Sequence, residues 1–147
     1  MNELIIDYGQ QKKFLGFFSE RYMPLDQMPR ELWPLSVLEK LEAISLPKAK
    51  RGMVQAIADC IEIGAGLGPE ELEELDRQLV AHNIATFSEM WGSQKKIIQK
   101  VLAKDTIEDR TTFYLLTNFV NLNTVSKQEI VRANHLLHEY ERKNFPN

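Results

Sequence analysis

The spacing of apolar residues predicts helices along the whole chain. In the middle of the chain Leu72, Leu75 and Leu79 recur at intervals of three and four residues, which places them on one face of an α-helix. No segment has the sustained alternation of apolar and polar residues that marks a half-buried strand. The pattern therefore predicts an all-α fold, a single-domain bundle of about six to seven mostly antiparallel helices, because the connections between the predicted helices are short.

The first segment combines a weakly defined start with a strongly aromatic helix. A helix is predicted from about Gln10 to Tyr22. Residues 1–9 could instead form a flexible or extended arm, because short apolar runs fit a helix or a strand equally well. A large aromatic face suits a hydrophobic core or a contact between two copies of the chain, so a homodimer is one prediction. The segment contains the aromatic residues Tyr8, Phe14, Phe17, Phe18 and Tyr22.

Prolines and glycines divide the next part of the chain. Residues 23–33 are predicted to form a Pro-rich connector with one short turn at residues 30–33, and Pro34 suits the first position of a helix. This second helix is predicted to bury Leu35, Leu38, Leu41 and Ile44. A third helix, from Pro47 to about Ile63, is predicted to bury Met53, Ala56, Ile57, Cys60 and Ile61.

The stretch from Gly68 to Lys104 has the clearest helix boundaries and predicts a helical hairpin. Pro69 opens the first arm, and Asn83 is suited to a left-handed stop at its end. Thr86 and Glu89 then form a T-x-x-E capping box, in which the hydroxyl and the carboxylate satisfy backbone N–H groups at the helix start. The second arm is therefore predicted to begin at Thr86.

Two further helices complete the prediction. One starts at Asp105 or Thr106, runs to about Val120, and is expected to present Ile107, Tyr114, Leu115 and Phe119 to the core. A second capping box, Ser126 with Glu129, opens a final helix that runs through Lys143. Its inward residues are predicted to be Ile130, Leu137 and Tyr140.

Composition supports one globular domain in a reducing compartment. The chain has 147 residues, of which 44% are hydrophobic and 27% charged, values typical of a folded soluble domain. The net charge of −3 argues against a surface built wholly for nucleic acid, although a local basic patch remains compatible with it. A single cysteine, no signal-peptide pattern and no apolar run long enough to span a bilayer predict a cytoplasmic protein without membrane contact.

No catalytic motif is recognisable, so the protein is predicted not to be an enzyme and to need no cofactor. The glycine-rich loop Gly64–Gly68 follows a helix and precedes glutamates, whereas a phosphate-binding loop follows a strand. Cys60 lies on an apolar helix face and is interpreted as a buried, inert thiol. His135, His138 and Glu139 could approach one metal ion from one helix face, but a solvated histidine pair is the interpretation that the sequence favours.

Charge segregation is the most distinctive feature of the sequence. The stretch from residue 59 to residue 76 contains no basic residue and seven acidic ones: Asp59, Glu62, Glu70, Glu71, Glu73, Glu74 and Asp76. The second arm of the hairpin carries a lysine stripe, which consists of Lys95, Lys96, Lys100 and Lys104. The simplest interpretation is that the two oppositely charged arms attract each other across the hairpin, which contributes about 0–1 kcal/mol per exposed pair.

Two functional hypotheses follow from these charges. The first is a non-enzymatic protein-interaction module, a small regulator or inhibitor that presents the acidic residues to a basic partner. The second is a nucleic-acid-binding regulator that uses the lysine stripe on a hairpin resembling a helix-turn-helix. Against the second, the lysines lie in the C-terminal half of the supposed recognition helix, whereas base contacts usually come from its first turns.

Overall fold

The computed structural model describes residues 6–104, 106–122 and 125–145, and these residues form α-helices and short turns without any strand. The predicted all-α single-domain bundle is confirmed. The helices of the described ranges are α1 (Tyr8–Tyr22), α2 (Pro34–Ile44), α3 (Leu46–Gly64), α4 (Pro69–Ala81), α5 (Phe87–Leu102), α6 (Arg110–Val120) and α7 (Lys127–Asn144).

Local capping chemistry sets most of the helix boundaries. Both predicted capping boxes are present, at Thr86 with Glu89 before α5 and at Ser126 with Glu129 before α7. Asn83 has a φ of 59° and follows the end of α4, as predicted. These signals are readable from sequence because the partners lie only three residues apart and the interaction needs no tertiary contact.

The predicted start of the sixth helix is wrong. The helix begins at Arg110, and the Asp109 carboxylate accepts a hydrogen bond of 2.7 Å from the backbone N–H of Thr112. Asp109 is therefore the N-cap, and Thr106 lies before the helix; Asp105 lies outside the described residues. Ile107 is buried as predicted, but it packs from the connection and not from a helical face.

Helix α3 lies at the centre of the bundle, and two glycines allow its neighbours to come close. A Cβ atom on Gly52 would lie 2.7 Å from Leu41 Cδ1 of α2, and one on Gly64 would lie 2.1 Å from Phe87 Cε2 of α5. The pairing of Leu41 with Gly52 shows that α2 and α3 are antiparallel across the corner at Ser45. The buried residues of α3 are Ala49, Met53, Ile57, Ala58, Cys60, Ile61 and Gly64.

The aromatic residues of α1 belong to the core. Phe14 and Phe18 are fully buried, with ring centroids 5.6 Å apart. The ring of Phe18 also lies 6.4 Å from that of Phe87 on α5. The aromatic face that suggested a homodimer is thus largely covered by the chain's own core, and self-association remains a prediction without support from this face.

Polar and aromatic contacts with α1 hold the C-terminal end of helix α4. The Gln10 side chain of α1 donates to the carbonyl of Asn83 at 3.2 Å and accepts from the N–H of Ala85 at 3.0 Å. The Phe17 and His82 rings lie 5.3 Å apart. These contacts hold the turn between α4 and α5, and they leave the outer face of α4 to solvent.

Two residues predicted to face the core lie on the surface. The side chain of Ile44 is 67% exposed and that of Tyr114 is 43% exposed. In α2 the fully buried position is Leu38, and Ile44 projects at the corner where the chain turns into α3. In α6 the adjacent residue Phe113 takes the inward position and stacks on Tyr140 of α7, with the two ring centroids 4.9 Å apart. The connector forms two short 3₁₀ turns, Leu25–Gln27 and Arg30–Leu32, where one was predicted.

Candidate protein-interaction surfaces

The N-terminal half of α4 presents free carboxylates to solvent. Glu70, Glu71 and Glu73 are exposed, and within the described part of the chain none of them has a hydrogen-bond or ion-pair partner. Leu75 and Leu79 are buried on the inward side of the same helix. The apolar spacing of α4 therefore fixes which side faces the bundle, and these three glutamates are left outside it.

Three of the seven predicted acidic residues instead have hydrogen-bond or ion-pair partners within the chain. Asp76 caps α5, because its carboxylate accepts from the N–H of Phe87 and from the hydroxyl of Ser88, both at 2.8 Å. Asp59 Oδ1 accepts from the side-chain amides of Gln55 at 3.1 Å and Asn118 at 2.9 Å.

The third carboxylate with a partner is Glu74. It pairs with Arg77 one turn later and accepts a hydrogen bond of 3.0 Å from Gln78 Nε2. Glu62 of α3 is exposed and has no partner among the residues described. The exposed carboxylates without any partner in the described part of the chain are therefore Glu62, Glu70, Glu71 and Glu73.

The two oppositely charged arms are not linked by ion pairs. In the described ranges, ion pairs join Lys12 with Glu42, Arg77 with Glu74, and Arg142 with Glu139. None of them connects a carboxylate of α4 with a lysine of α5. The predicted attraction across the hairpin is thus not realised as close contacts, since the arms meet mainly at the Asp76 cap and leave both charged faces exposed.

The lysine stripe of α5 is also mostly free. Lys96, Lys100 and Lys104 are exposed, whereas Lys95 is half-buried with its ammonium 5.7 Å from the centre of the Trp91 ring. No acidic residue occurs from position 90 to position 104. This face of α5 is therefore uniformly positive.

Arg132 of α7 joins the C-terminal end of α5 to α7. Its Nε donates to the carbonyl of Leu102 at 3.1 Å and its Nη2 to the carbonyl of Lys104 at 2.7 Å. An arginine at a helix C-terminus satisfies carbonyls that lack helical partners and interacts favourably with the helix dipole. This contact has no signal in the sequence, because it joins residues thirty positions apart.

The first turns of α5 are unsuited to reading DNA bases. Phe87 and Met90 are buried in the bundle, and Asp76 occupies the N-terminus of the helix. The exposed Glu89 side chain adds further negative charge there. A recognition helix places its first turns in the major groove, and α5 carries no basic residue in those turns before Lys95.

An apolar groove that was not predicted runs between α2 and α3. Its volume is about 320 Å³, and it is lined by Pro34, Val37, Leu38, Leu41, Gly52, Gln55, Ala56 and Asp59. Ala56, which was predicted to lie in the core, is half-buried and forms part of this lining. A sequence signal was available, since two small residues four positions apart, Gly52 and Ala56, leave one strip of α3 without bulky side chains.

The cysteine and the histidine pair considered in the sequence do not form a metal site in the described part of the chain. Cys60 is buried as predicted, and its burial and the neighbouring Asp59 raise the pKa of its thiol to about 12, which disfavours the thiolate. His135 and His138 are exposed, and Glu139 is paired with Arg142. Within the described ranges, no group of three His, Cys, Asp or Glu side chains is arranged to hold a metal ion.

Comparisons with known proteins add no relative. No family model, curated protein sequence or solved structure matches the chain. Among the residues described, no helix combines the length and the apolar character needed to cross a bilayer.

Proposed function

We propose that this protein is a non-enzymatic protein-interaction module, a small regulator or inhibitor that binds a basic protein partner through the exposed carboxylates of α3 and α4. The observation that carries the proposal is the division of the acidic residues. Asp59, Asp76 and Glu74 have partners within the chain. The remaining four are exposed without partners in the described part of the chain: Glu62, Glu70, Glu71 and Glu73.

Free glutamates close together on one helix cost stability unless something compensates for them. Like charges three or four residues apart destabilise a helix by roughly 0.2–0.5 kcal/mol per pair. Glu70 and Glu71 lie in the first turn, where the helix dipole offsets about 0.3–1 kcal/mol each. Glu73 lies beyond that turn and is not compensated in this way. A basic partner would neutralise all three, and complementary charge would also raise its association rate.

Charge reversal tests this proposal directly. The tagged protein is used to capture partners from a lysate, and quantitative mass spectrometry compares wild type with Glu70→Lys/Glu73→Lys. The matched control, Glu20→Lys/Glu141→Lys, changes the net charge equally at two exposed positions on α1 and α7. We expect one or more basic proteins, with pI above about 9, to be retained by wild type and the control and lost by the α4 variant. Identical recovery by all three proteins would refute the proposal.

A second candidate function, nucleic-acid binding, is supported by a different observation. Lys96 and Lys100 are exposed on α5, and Lys104 is exposed just beyond its C-terminal end. Contacts of this kind would be made to phosphates and would be largely independent of sequence. The acidic face is favoured over this candidate, because the first turns of α5, where base contacts would be made, expose the Glu89 carboxylate and carry no basic residue before Lys95.

Fluorescence anisotropy with labelled mixed-sequence DNA and RNA tests this second candidate. Binding through phosphates should weaken steeply between about 50 and 200 mM salt. It should also be lost in Lys96→Glu/Lys100→Glu and kept in the control Lys13→Glu/Lys50→Glu, which reverses two lysines exposed on α1 and α3. Absence of binding at the lower salt concentration would exclude nucleic acid as the ligand of this stripe.

A further inference from the structure

The groove between α2 and α3 has apolar walls and a polar end. Leu41 lies against Gly52 near the corner, and Asp59 lies at the opposite end beside Pro34 and Val37. From residue 34 to residue 41 the helical rise gives the groove a length of about 10 Å, which corresponds to about two turns of a helix laid in it. The groove is thus long enough for two or three side chains of a partner segment.

The polar end of the groove is rich in acceptors that have no donor. Gln55 Oε1 is buried and has no hydrogen-bond partner among the described residues. The Nε2 of the same side chain donates to Asp59 Oδ1, which also accepts from Asn118, so both donors converge on one oxygen of this carboxylate. Asp59 Oδ2 and the exposed Glu62, one turn further along α3, remain available. A ligand suited to this end carries N–H donors and a positive charge.

The rim of the groove is apolar and exposed. The side chain of Val37 is 41% exposed and that of Ile44 is 67% exposed. Val37, Leu41 and Ile44 lie four and three residues apart on α2, so they form one strip along the side of the groove. An apolar strip beside an acidic end matches an amphipathic helix with apolar residues along one side and a basic residue at one end.

A helical segment suits these walls better than an extended one. The walls are side chains of two helices, so an extended segment would bury its backbone N–H and C=O groups against apolar surface without partners. A helix satisfies those groups internally and buries only side chains. A third helix laid against an antiparallel pair is also the ordinary packing of a helical bundle.

We propose that the groove between α2 and α3 binds an amphipathic helix of the basic partner, with apolar side chains against Val37, Leu41 and Ala56 and with a lysine or arginine on Asp59. The inference rests on the proposed function in one respect, that the partner is basic. It adds the site, the secondary structure of the bound segment and the residue that receives its positive charge.

A helix library provides the probe. Phage display of helical peptides of about 16 residues, with Leu, Ile, Phe or Met at positions i, i+4 and i+7 and all other positions random, is selected on the wild-type protein. Selected peptides are synthesised with a fluorescent label, and their affinity is measured by anisotropy for wild type and variants. Lysine or arginine should be enriched at one end of the selected helices, and this enrichment should disappear when selection is repeated on Asp59→Asn.

Substitutions in the groove decide whether the peptides bind there. Val37→Glu should weaken the selected peptides by at least about 10-fold, because it places a charge on the exposed apolar rim. The matched control Val131→Glu, at a side chain of α7 that is 70% exposed, should leave affinity unchanged. Ala56→Arg fills the groove, so it should weaken the selected peptides as Val37→Glu does, provided that circular dichroism shows the variant to be folded. If Ala56→Arg is not folded, the affinity of Val37→Glu decides whether the peptides bind in the groove.

The remaining outcomes separate this inference from the proposed function. Selection of no helix, equal affinity for wild type and Val37→Glu, or no enrichment of basic residues would each overturn the groove proposal. A concentrated sample that dimerises, and that Val37→Glu returns to monomer, would also overturn it, because the occupant would then be a second copy of the chain. Failure of the proposed function would appear elsewhere, as lysate capture that is unaffected by Glu70→Lys/Glu73→Lys while groove peptides still bind.

Discussion

Helix α3 and the outer face of α4 both carry exposed carboxylates, but only on α3 does one of them, Asp59, have hydrogen-bond partners within the bundle. On α3 the Asp59 carboxylate is bound by two side-chain amides and lies beside close-packed helices. On α4 Glu70 and Glu73 lie in solvent without a partner in the described part of the chain. Substitutions near α3 should therefore affect folding, whereas substitutions on the outer face of α4 should affect recognition and leave folding almost unchanged.

The largest effect is expected at the contact between α3 and α5. Gly64→Ala should destabilise the protein by about 2–3 kcal/mol, because overpacking forces neighbouring groups apart and the new Cβ would lie 2.1 Å from Phe87 Cε2. The measurement is chemical denaturation followed by circular dichroism. Gly92→Ala in α5 is the matched control, since a Cβ there meets nothing within 4 Å; it should stabilise by about 0.5–1 kcal/mol. Equal effects of the two substitutions would contradict the close packing of α3.

A smaller effect is expected where α4 itself supplies a structural carboxylate. Asp76→Ala should cost about 1 kcal/mol of unfolding free energy, since it removes the acceptor from the N-terminus of α5. Glu73→Ala, three residues earlier on the same helix, should change stability by less than about 0.5 kcal/mol. If both substitutions cost the same, the distinction between bound and free carboxylates on α4 is wrong.

A third carboxylate, Glu42 of α2, should make the stability of the protein depend on pH. It accepts a hydrogen bond of 2.6 Å from the Tyr8 hydroxyl and lies 2.9 Å from Lys12. Burial, the hydrogen bond to Glu42 and the charge of Glu42 raise the pKa of Tyr8 from 10.0 to about 12. The neutral tyrosine is thus favoured in the folded state, so this contribution is complete below pH 10 and is lost as the pH rises towards about 12.

The difference between wild type and Tyr8→Phe measures this contribution. The advantage of wild type in urea unfolding should shrink between pH 10 and about 12, the window set by the pKa of Tyr8. The hydrogen bond from Tyr8, followed by that from Lys12, lowers the pKa of Glu42 below its usual value. The stabilisation from Glu42 should therefore be present above its unfolded pKa of 4.5 and decline as pH falls through the folded value. A constant difference between the two proteins from pH 8 to pH 12 would contradict the coupling.

The smallest effect on stability is expected on the outer face of α4. Glu73→Gln should raise the unfolding free energy by roughly 0.2–0.5 kcal/mol at low salt, because it relieves repulsion from Glu70 and leaves the favourable charges of the first turn in place. The gain should disappear at high salt, where exposed charges are screened. Destabilisation of more than about 1 kcal/mol would mean that Glu73 has a structural role.

The sequence predicted what depends on neighbours within a few residues. Thr86 with Glu89 and Ser126 with Glu129 act through local capping, and both were assigned correctly. Ile44 was misplaced, because periodicity identifies an apolar stripe and tertiary packing decides which part of it is covered. The roles of Asp76 and Asp59 were also missed, since their partners Phe87 and Asn118 lie eleven and fifty-nine residues away in the chain.

From the sequence, the candidate site could be predicted only as a run of acidic residues. The run of acidic residues was visible, but its division into bound and free carboxylates required knowledge of which side of α4 faces the bundle. The spacing of Gly52 and Ala56 was the only sequence signal of the groove, and its shape depends on the way α2 meets α3 around Gly52. Charge is a property of the sequence, whereas the availability of a charge for binding is a property of the fold.

The central claim, that free carboxylates on α4 hold a basic partner, is tested most directly by association rates. A basic protein recovered in the lysate capture is purified, and its binding is followed by stopped-flow fluorescence at low and moderate salt. We expect the association rate constants of wild type and Glu20→Lys/Glu141→Lys to be high at low salt and to fall about 10-fold or more at moderate salt. At low salt, the association rate constant of Glu70→Lys/Glu73→Lys should be about 10-fold or more below that of wild type. A lysate that yields no basic protein, or rates that are equal for all three proteins and insensitive to salt, would contradict it.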